Sequence, residues 1–252
     1  MHQPLLYFRF VQRCFVGLCW AWLGLAVAPA QAQTTYAYRN DVFAYDTPTG
    51  AATNVAWHAS GASPACTGFP QGDDDWSDIA FPGGFTFTFG GVSYSSVRAY
   101  SNGMLAFPTD VSGFHRDYSP QALPITVVGT PGPTAPCTFS AVPKNLMLPY
   151  WIDIIAGTAT GITGANVKYE LLGVAPSRRL VITWDNVALY GNAATRYSFQ
   201  VALFESTAGV NGNFRYQYTT GSTTGLGATV GVQLTTTDST QYAYNQNFID
   251  TT

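Results

Sequence analysis

The chain has 252 residues, 10% of them charged, with a formal net charge of −3. Its basic side chains are few and include only two lysines, Lys144 and Lys168. That excludes nucleic acid and anionic membrane surfaces as partners, since both are gripped by clustered Lys and Arg. An apolar content of 46%, with 15% aromatics, supplies a large core and excludes disorder.

In chain order, the first element is an address. Arg9 and Arg13 precede a short apolar stretch, Cys14 to Val27, and Ala30-Gln31-Ala32 has the small-x-small form of a cleavage site. Residues 1–32 therefore read as a signal peptide and 33–252 as a single exported domain. The apolar stretch is shorter than the ~18 residues of a membrane span, and no later segment is long enough to span as a helix. The mature chain is thus expected to carry no transmembrane segment and to be exported via the periplasm, to the cell surface or the extracellular space. Cleavage removes two arginines and no acids, leaving 9 basic against 14 acidic side chains, or about −5.

Four cysteines fall to two once the leader is gone, Cys66 and Cys137, each beside a Pro/Gly/Ser/Thr-rich loop. In an oxidising compartment the default is one disulfide. It would close a loop of roughly 70 residues and contribute about 4 kcal/mol in the chain-entropy account. A reactive or metal-binding thiol pair lacks C-x-x-C spacing and a nearby His.

Beyond the leader, apolar residues recur with period two. Phe85, Phe87 and Phe89 alternate with Thr86 and Thr88, so one face buries three rings and the other meets water. Gly90-Gly91 turns the chain into a strand over 92–100, and Asn102-Gly103 predicts a type I′ hairpin into 104–107. The irregular, Pro- and Gly-rich stretch from Asp110 to Pro136 is expected to be a long loop crossing a sheet end. Ile152 to Ile155 has strand length. Alternation returns around Val167/Tyr169/Leu171, Leu180/Ile182/Trp184, Tyr197/Phe199/Val201/Leu203, Phe214/Tyr216/Tyr218 and Val230/Val232/Leu234. Helical spacing is not sustained anywhere. The fold expected is an all-β antiparallel β-sandwich, of the jelly-roll kind, with about 10–12 strands.

The order of these motifs carries a resemblance. It runs from Gly72-Asp73-Asp74-Asp75, through Phe85 to Tyr94 and Tyr100-Ser101-Asn102-Gly103-Met104-Leu105-Ala106-Phe107, to Leu148-Pro149-Tyr150-Trp151-Ile152-Asp153 and Leu180 to Phe204. This resembles the nidogen-type extracellular β-sandwich and its bacterial secreted relatives over roughly residues 73–233. Similar modules occur in Gram-negative surface proteins, including ones resembling the mannose-sensitive haemagglutinin pilus biogenesis protein Q. The resemblance implies adhesion or pilus-associated surface work and transfers no catalytic residue. Such modules usually continue past Tyr242-Ala243-Tyr244 into a further strand, which here is expected to be short or part of something larger.

Candidate chemistry is sparse. Asp73, Asp74, Asp75 and Asp78, with Trp76 among them, form the densest carboxylate cluster. It reads either as a solvated acidic turn or as a calcium site, since oxygen-rich loops suit that ion. An EF-hand is excluded, because Asp78 stands where the loop needs Gly and Gly84 where it needs Glu. Asp153 is expected to bond backbone groups at a strand end, with metal binding as the alternative. The laminarinase-type glycosidase pair is missing, since Trp151 and Ile155 occupy the positions flanking Asp153. No G-x-S-x-G elbow or H-E-x-x-H motif is present. His58 and His115 read as ordinary loop or strand residues. Trp57 and Trp76 lie among polar and small residues and read as the exposed rings of a carbohydrate-stacking surface.

The expectation is therefore a non-catalytic surface binding or adhesion module, its ligand a glycan or protein and its only candidate cofactor calcium. A structural or assembly role in a pilus or secreted complex is the alternative. A secreted hydrolase, working through Asp153 or Asp185, ranks third.

Overall fold

The computed structural model describes residues 36–40, 42–57, 71–107, 118–126, 144–157, 161–207, 209–219 and 227–246. The leader, Cys66, Cys137, His58 and His115 lie outside these residues. So do the expectations attached to them. The chain divides into two units, 1–33 and 34–252; the second is the subject below.

The described residues form fourteen strands and one short 3-10 turn, Pro82–Gly84. This is more than the expected 10–12, because several strands are only two or three residues long. One sheet has the order β1-β9-β10-β11-β12, with β8 also paired to β10. Its members are β1 (Thr53–Asn54), β8 (Ile154–Ile155), β9 (Asn166–Leu172), β10 (Arg179–Leu189), β11 (Asn192–Phe204) and β12 (Phe214–Tyr218). The other sheet has the order β14-β13-β7-β6-β5-β2. It comprises β2 (Trp76–Ala80), β5 (Ser96–Tyr100), β6 (Met104–Ala106), β7 (Leu146–Trp151), β13 (Thr229–Gln233) and β14 (Ser239–Tyr244). A hairpin of β3 (Phe87–Phe89) and β4 (Val92–Tyr94) stands apart. Every pairing is antiparallel.

The core between the sheets is the set that period two selects. Val167, Leu180, Ile182, Trp184, Phe199, Val201 and Leu203 meet Val97, Ala99, Leu105, Met147, Val230 and Val232, all buried. Strand β12 ties the layers together. Its Tyr216 donates a hydrogen bond to the Gly231 carbonyl (3.0 Å) and its Tyr218 to the Pro149 carbonyl (2.6 Å). An aromatic body fills the core while its hydroxyl finds backbone at the far sheet.

Three local expectations change. The strand over 92–100 breaks at Ser95 into β4 and β5, which belong to different sheets. The Asn102-Gly103 turn is a three-residue loop, Ser101 to Gly103, with Tyr100 facing Met104. Only Gly103 there takes positive φ (76°), whereas a type I′ turn needs two such residues. A Cβ on Gly103 would overlap the Tyr150 carbonyl oxygen, so glycine is required by contact as well as by φ. Thr88, expected to face water, is buried: its hydroxyl meets Ser93 and its N–H meets Ser206.

The middle of the outward face of each sheet is also covered. On one, Val181, Thr183, Gln200 and Ala202 are buried where the chain from Tyr45 to Thr49 lies across them. Asp46 bonds Arg179 with both oxygens, its carbonyl accepts from Gln200 Nε2, and Thr49 bonds Glu170. On the other, Tyr100, Met104, Ala106, Leu146, Leu148 and Trp151 form a second apolar cluster with Ile125 and Leu123. The described part of the 110–136 stretch therefore lies on a sheet face rather than at a sheet end. It is apolar enough at Leu123 and Ile125 to seal that face.

Candidate metal centre

Four loops meet at one end of the sandwich: 71–75 before β2, the Ser101–Gly103 turn, 152–157 around β8, and the β10–β11 hairpin at Tyr190. Two glycines allow the first and third to touch. Gly72, at φ 78°, and Gly157 pack so closely that a Cβ on either would strike the other's loop. The Gly72 carbonyl accepts from Ala156 N–H at 2.8 Å. Trp57 fills the space beneath, its indole N–H donating to the Ala156 carbonyl at 3.2 Å.

Asn102 is the hub. Its Nδ2 donates to Asp74 Oδ1 (2.8 Å), its Oδ1 accepts from Ile154 N–H (3.1 Å), and its carbonyl accepts from Ile152 N–H (3.3 Å). The side chain and backbone carbonyl of Asn102 together thus fix Asp74 and both residues flanking Asp153. Trp184 holds the turn from below, its indole N–H shared between the Tyr100 and Ser101 carbonyls.

The result brings Asp73, Asp74 and Asp153 together, with one carboxylate oxygen from each lying within 4.8 Å of the others. Asp73 and Asp74 retain 7% and 9% of their exposure, and Asp153 is half-buried. Burial and the Asp74 charge push the Asp73 carboxyl up to about 6. Burial, then Asp74 and Asp73, push Asp153 up to about 7. The ion pairs formed among the described residues involve neither Asp73 nor Asp153.

The NIDO related family model matches residues 44–252. The chain belongs to the NIDO related family. No curated protein and no solved structure matches it. The family match spans both sheets of this NIDO-related domain and every residue of the acidic end.

Within the domain, the candidate residues read from sequence fall apart into different roles. Asp75 is structural: its oxygens accept from Gly72 N–H (3.2 Å) and Trp76 N–H (2.7 Å), and its own N–H bonds the Ser101 hydroxyl. Asp78 lies on β2, paired with Arg98 at 2.8 and 2.9 Å across the strands, and leaves the cluster. Asp153, about eighty positions away in sequence, replaces them. The expectation that it bonds backbone is corrected for its side chain: only its carbonyl does so, accepting from Tyr190 N–H at 3.0 Å. The exposed Trp57/Trp76 pair is corrected too. Trp57 is a core residue, and one face of the half-buried Trp76 is covered by the Arg98 guanidinium, 3.5 Å from the ring centre. Asp185 pairs with Lys168.

Sequence reasoning missed Tyr190. This ring is 58% exposed at the hairpin tip, and its backbone is bonded to Asp153. The signal was available: Tyr190-Gly191 interrupts two long alternating strands, which places an aromatic at a turn where packing does not need it.

Proposed function

We propose that the chain is an exported, non-catalytic surface binding module that holds a glycan or protein ligand at the loop end carrying Asp73, Asp74, Asp153 and Tyr190. The observation that carries this reading is the covering of both outward sheet faces. With the middle of each face buried under residues 45–49 and 121–125, less flat sheet surface is open, which favours the loop ends as the place a ligand approaches. Membership of the NIDO related family supports it, as do the leader-like N-terminus and a motif order that resembles secreted surface modules. An exposed ring beside fixed carboxylates suits a polyhydroxylated or mixed polar surface, where an aromatic face stacks and oxygens accept hydrogen bonds. Among the described residues no helix is long and apolar enough to cross a membrane.

The test is a glycan and extracellular-protein binding screen of the secreted chain in calcium-containing buffer, beside a Tyr190→Ala variant. A ligand that wild type holds and Tyr190→Ala loses, with unchanged thermal stability, supports the reading. A ligand indifferent to Tyr190 moves the site elsewhere, and silence across the panel rejects it.

A further inference from the structure

The exposed Tyr190 ring is carried by a hairpin tip with little support of its own. Tyr190-Gly191 joins β10 to β11. From Asn192 to Tyr197, β11 pairs only with β10 among the described strands, because β12 pairs with it from Phe199 to Leu203. The tie from outside the hairpin is β8. Its Ile155 and Ile154 pair with Ala188 and Leu189, and the preceding Asp153 carbonyl accepts from Tyr190 N–H at 3.0 Å. Positions 188 to 190 are thus fastened in succession to 155, 154 and 153. Strand β8 is only two residues long, and among the described residues no strand pairs with its other edge. The alternate N–H groups facing that edge are nevertheless all engaged. Ile152 N–H donates to the Asn102 carbonyl (3.3 Å), Ile154 N–H to Asn102 Oδ1 (3.1 Å) and Ala156 N–H to the Gly72 carbonyl (2.8 Å). Asn102 alone therefore supplies two of the three acceptors that a neighbouring strand would offer.

We propose that Asn102 is the positioning residue of the Tyr190 ring: it fixes β8 through Ile152 and Ile154, and β8 fixes the hairpin tip. The β5–β6 turn of one sheet thereby sets where the other sheet presents its exposed aromatic. Asn102 is itself held firmly. It is 2% exposed, its Nδ2 donates to Asp74 Oδ1 at 2.8 Å, and the turn rests on the Trp184 indole N–H. An amide suits the position because it offers an acceptor to Ile154 and a donor to Asp74 at once. Alanine offers neither, and aspartate at neutral pH offers only the acceptor. A ring held by such a relay meets a ligand already ordered, which lowers the entropy lost on binding.

The assignment rests on Tyr190 as the contact ring, yet it is tested without any ligand, so its failure and that of the binding screen are separate results. Amide hydrogen exchange is measured on the full secreted chain. The fluorine signal of Tyr190 is followed in protein labelled with 3-fluorotyrosine and identified by its loss in Tyr190→Phe. In Asn102→Ala, exchange at Ile154 and Tyr190 N–H should rise at least about tenfold over Val230→Ala, a core truncation on β13 compared at equal stability. The Tyr190 fluorine signal should shift in the first variant and stay in the second. Asn102→Asp keeps an acceptor for Ile154 but sets a second negative charge against Asp74. It should lower Tm at least as much as Asn102→Ala, yet hold Tyr190 exchange within about twofold of wild type, since the charged acceptor bonds Ile154 as well as the amide does. A general loss of packing cannot produce opposite orders in Tm and in Tyr190 protection. Should Asn102→Ala not fold, Asn102→Asp alone decides. Tyr190 exchange in Asn102→Ala that matches Val230→Ala, or protection lost in Asn102→Asp, would overturn the assignment and leave the ring positioned by its hairpin alone.

Discussion

The two segments that cover the sheets do the same job with different chemistry. Over the β13–β7–β6–β5 face, residues 121–125 mimic a strand with side-chain help. Gln233 grips Ile125 with both ends of its amide, Oε1 accepting from its N–H (2.6 Å) and Nε2 donating to its carbonyl (3.1 Å). Gln241 accepts from Leu123 N–H, and Thr229 donates to the Gln121 carbonyl. Apolar contacts to Met104, Leu148 and Trp151 finish the seal. Over the β9–β12 face, residues 45–49 are held mainly by the Asp46–Arg179 pair and by Thr49 on Glu170. Beneath or beside them the Tyr45 hydroxyl, Gln200 Oε1 and both polar atoms of Gln217 are buried without partners. One cover has its polar groups matched; the other relies on charge and leaves amides unmet. Each unmet buried group costs about 1–3 kcal/mol, so the second cover is the less tightly held.

The largest effect should come from breaking the matched cover. Gln233→Ala strands the Ile125 N–H and carbonyl in a buried site, costing about 2–4 kcal/mol. Chemical denaturation reads the loss, and hydrogen exchange should show residues 121–125 opening with it. Next comes pH, which neither cover dominates. Asp73 and Asp153 have folded pKa values raised above the unfolded range, to about 6 and about 7. The folded state therefore binds extra protons between pH 4 and 7. The stability they contribute is complete below their unfolded pKa and is lost as pH rises through 6 and 7. Tm should fall across that window, and a flat profile would count against burial of these acids. Asp46→Asn should cost about 1 kcal/mol or less, since the pair is partly exposed. Its signature is local: faster exchange and proteolysis near 45–49, imitated in wild type by high salt. Smallest of all, Gln217→Leu should be neutral or slightly stabilising, because it removes polar atoms that have no partners. A loss above about 1 kcal/mol would mean that Gln217 is bonded after all.

Much of the fold was legible from local pattern. The inward residues of β9 to β13 follow the alternation of Val, Tyr, Leu, Phe and Trp, because one side of each strand must meet the other sheet. The outward side is not legible in this way: Thr88, expected to face water, is buried, and so are Thr183 and Gln200. Polar residues there look solvent-facing until a distant segment covers them. The acidic site was half legible. Asp73 and Asp74 stand out as a run, whereas Asp153 sits among apolar residues and joins only through the meeting of Gly72 with Gly157. Asp78 left the group because a cross-strand arginine faces it. Register, which no local pattern encodes, decides that. Trp57 failed for the same reason: its polar neighbours in sequence are not its neighbours in space.

The second cover also sets a schedule. Residues 36–49 leave the ribosome early, yet Asp46 waits 133 positions for Arg179, and Tyr36 waits 204 for the Thr240 hydroxyl that bonds its carbonyl. Until those strands exist, nothing can receive this segment, and contacts so remote in sequence form slowly. It is synthesised first and secured last. Its docking is therefore a latch whose closure reports that both sheets are complete.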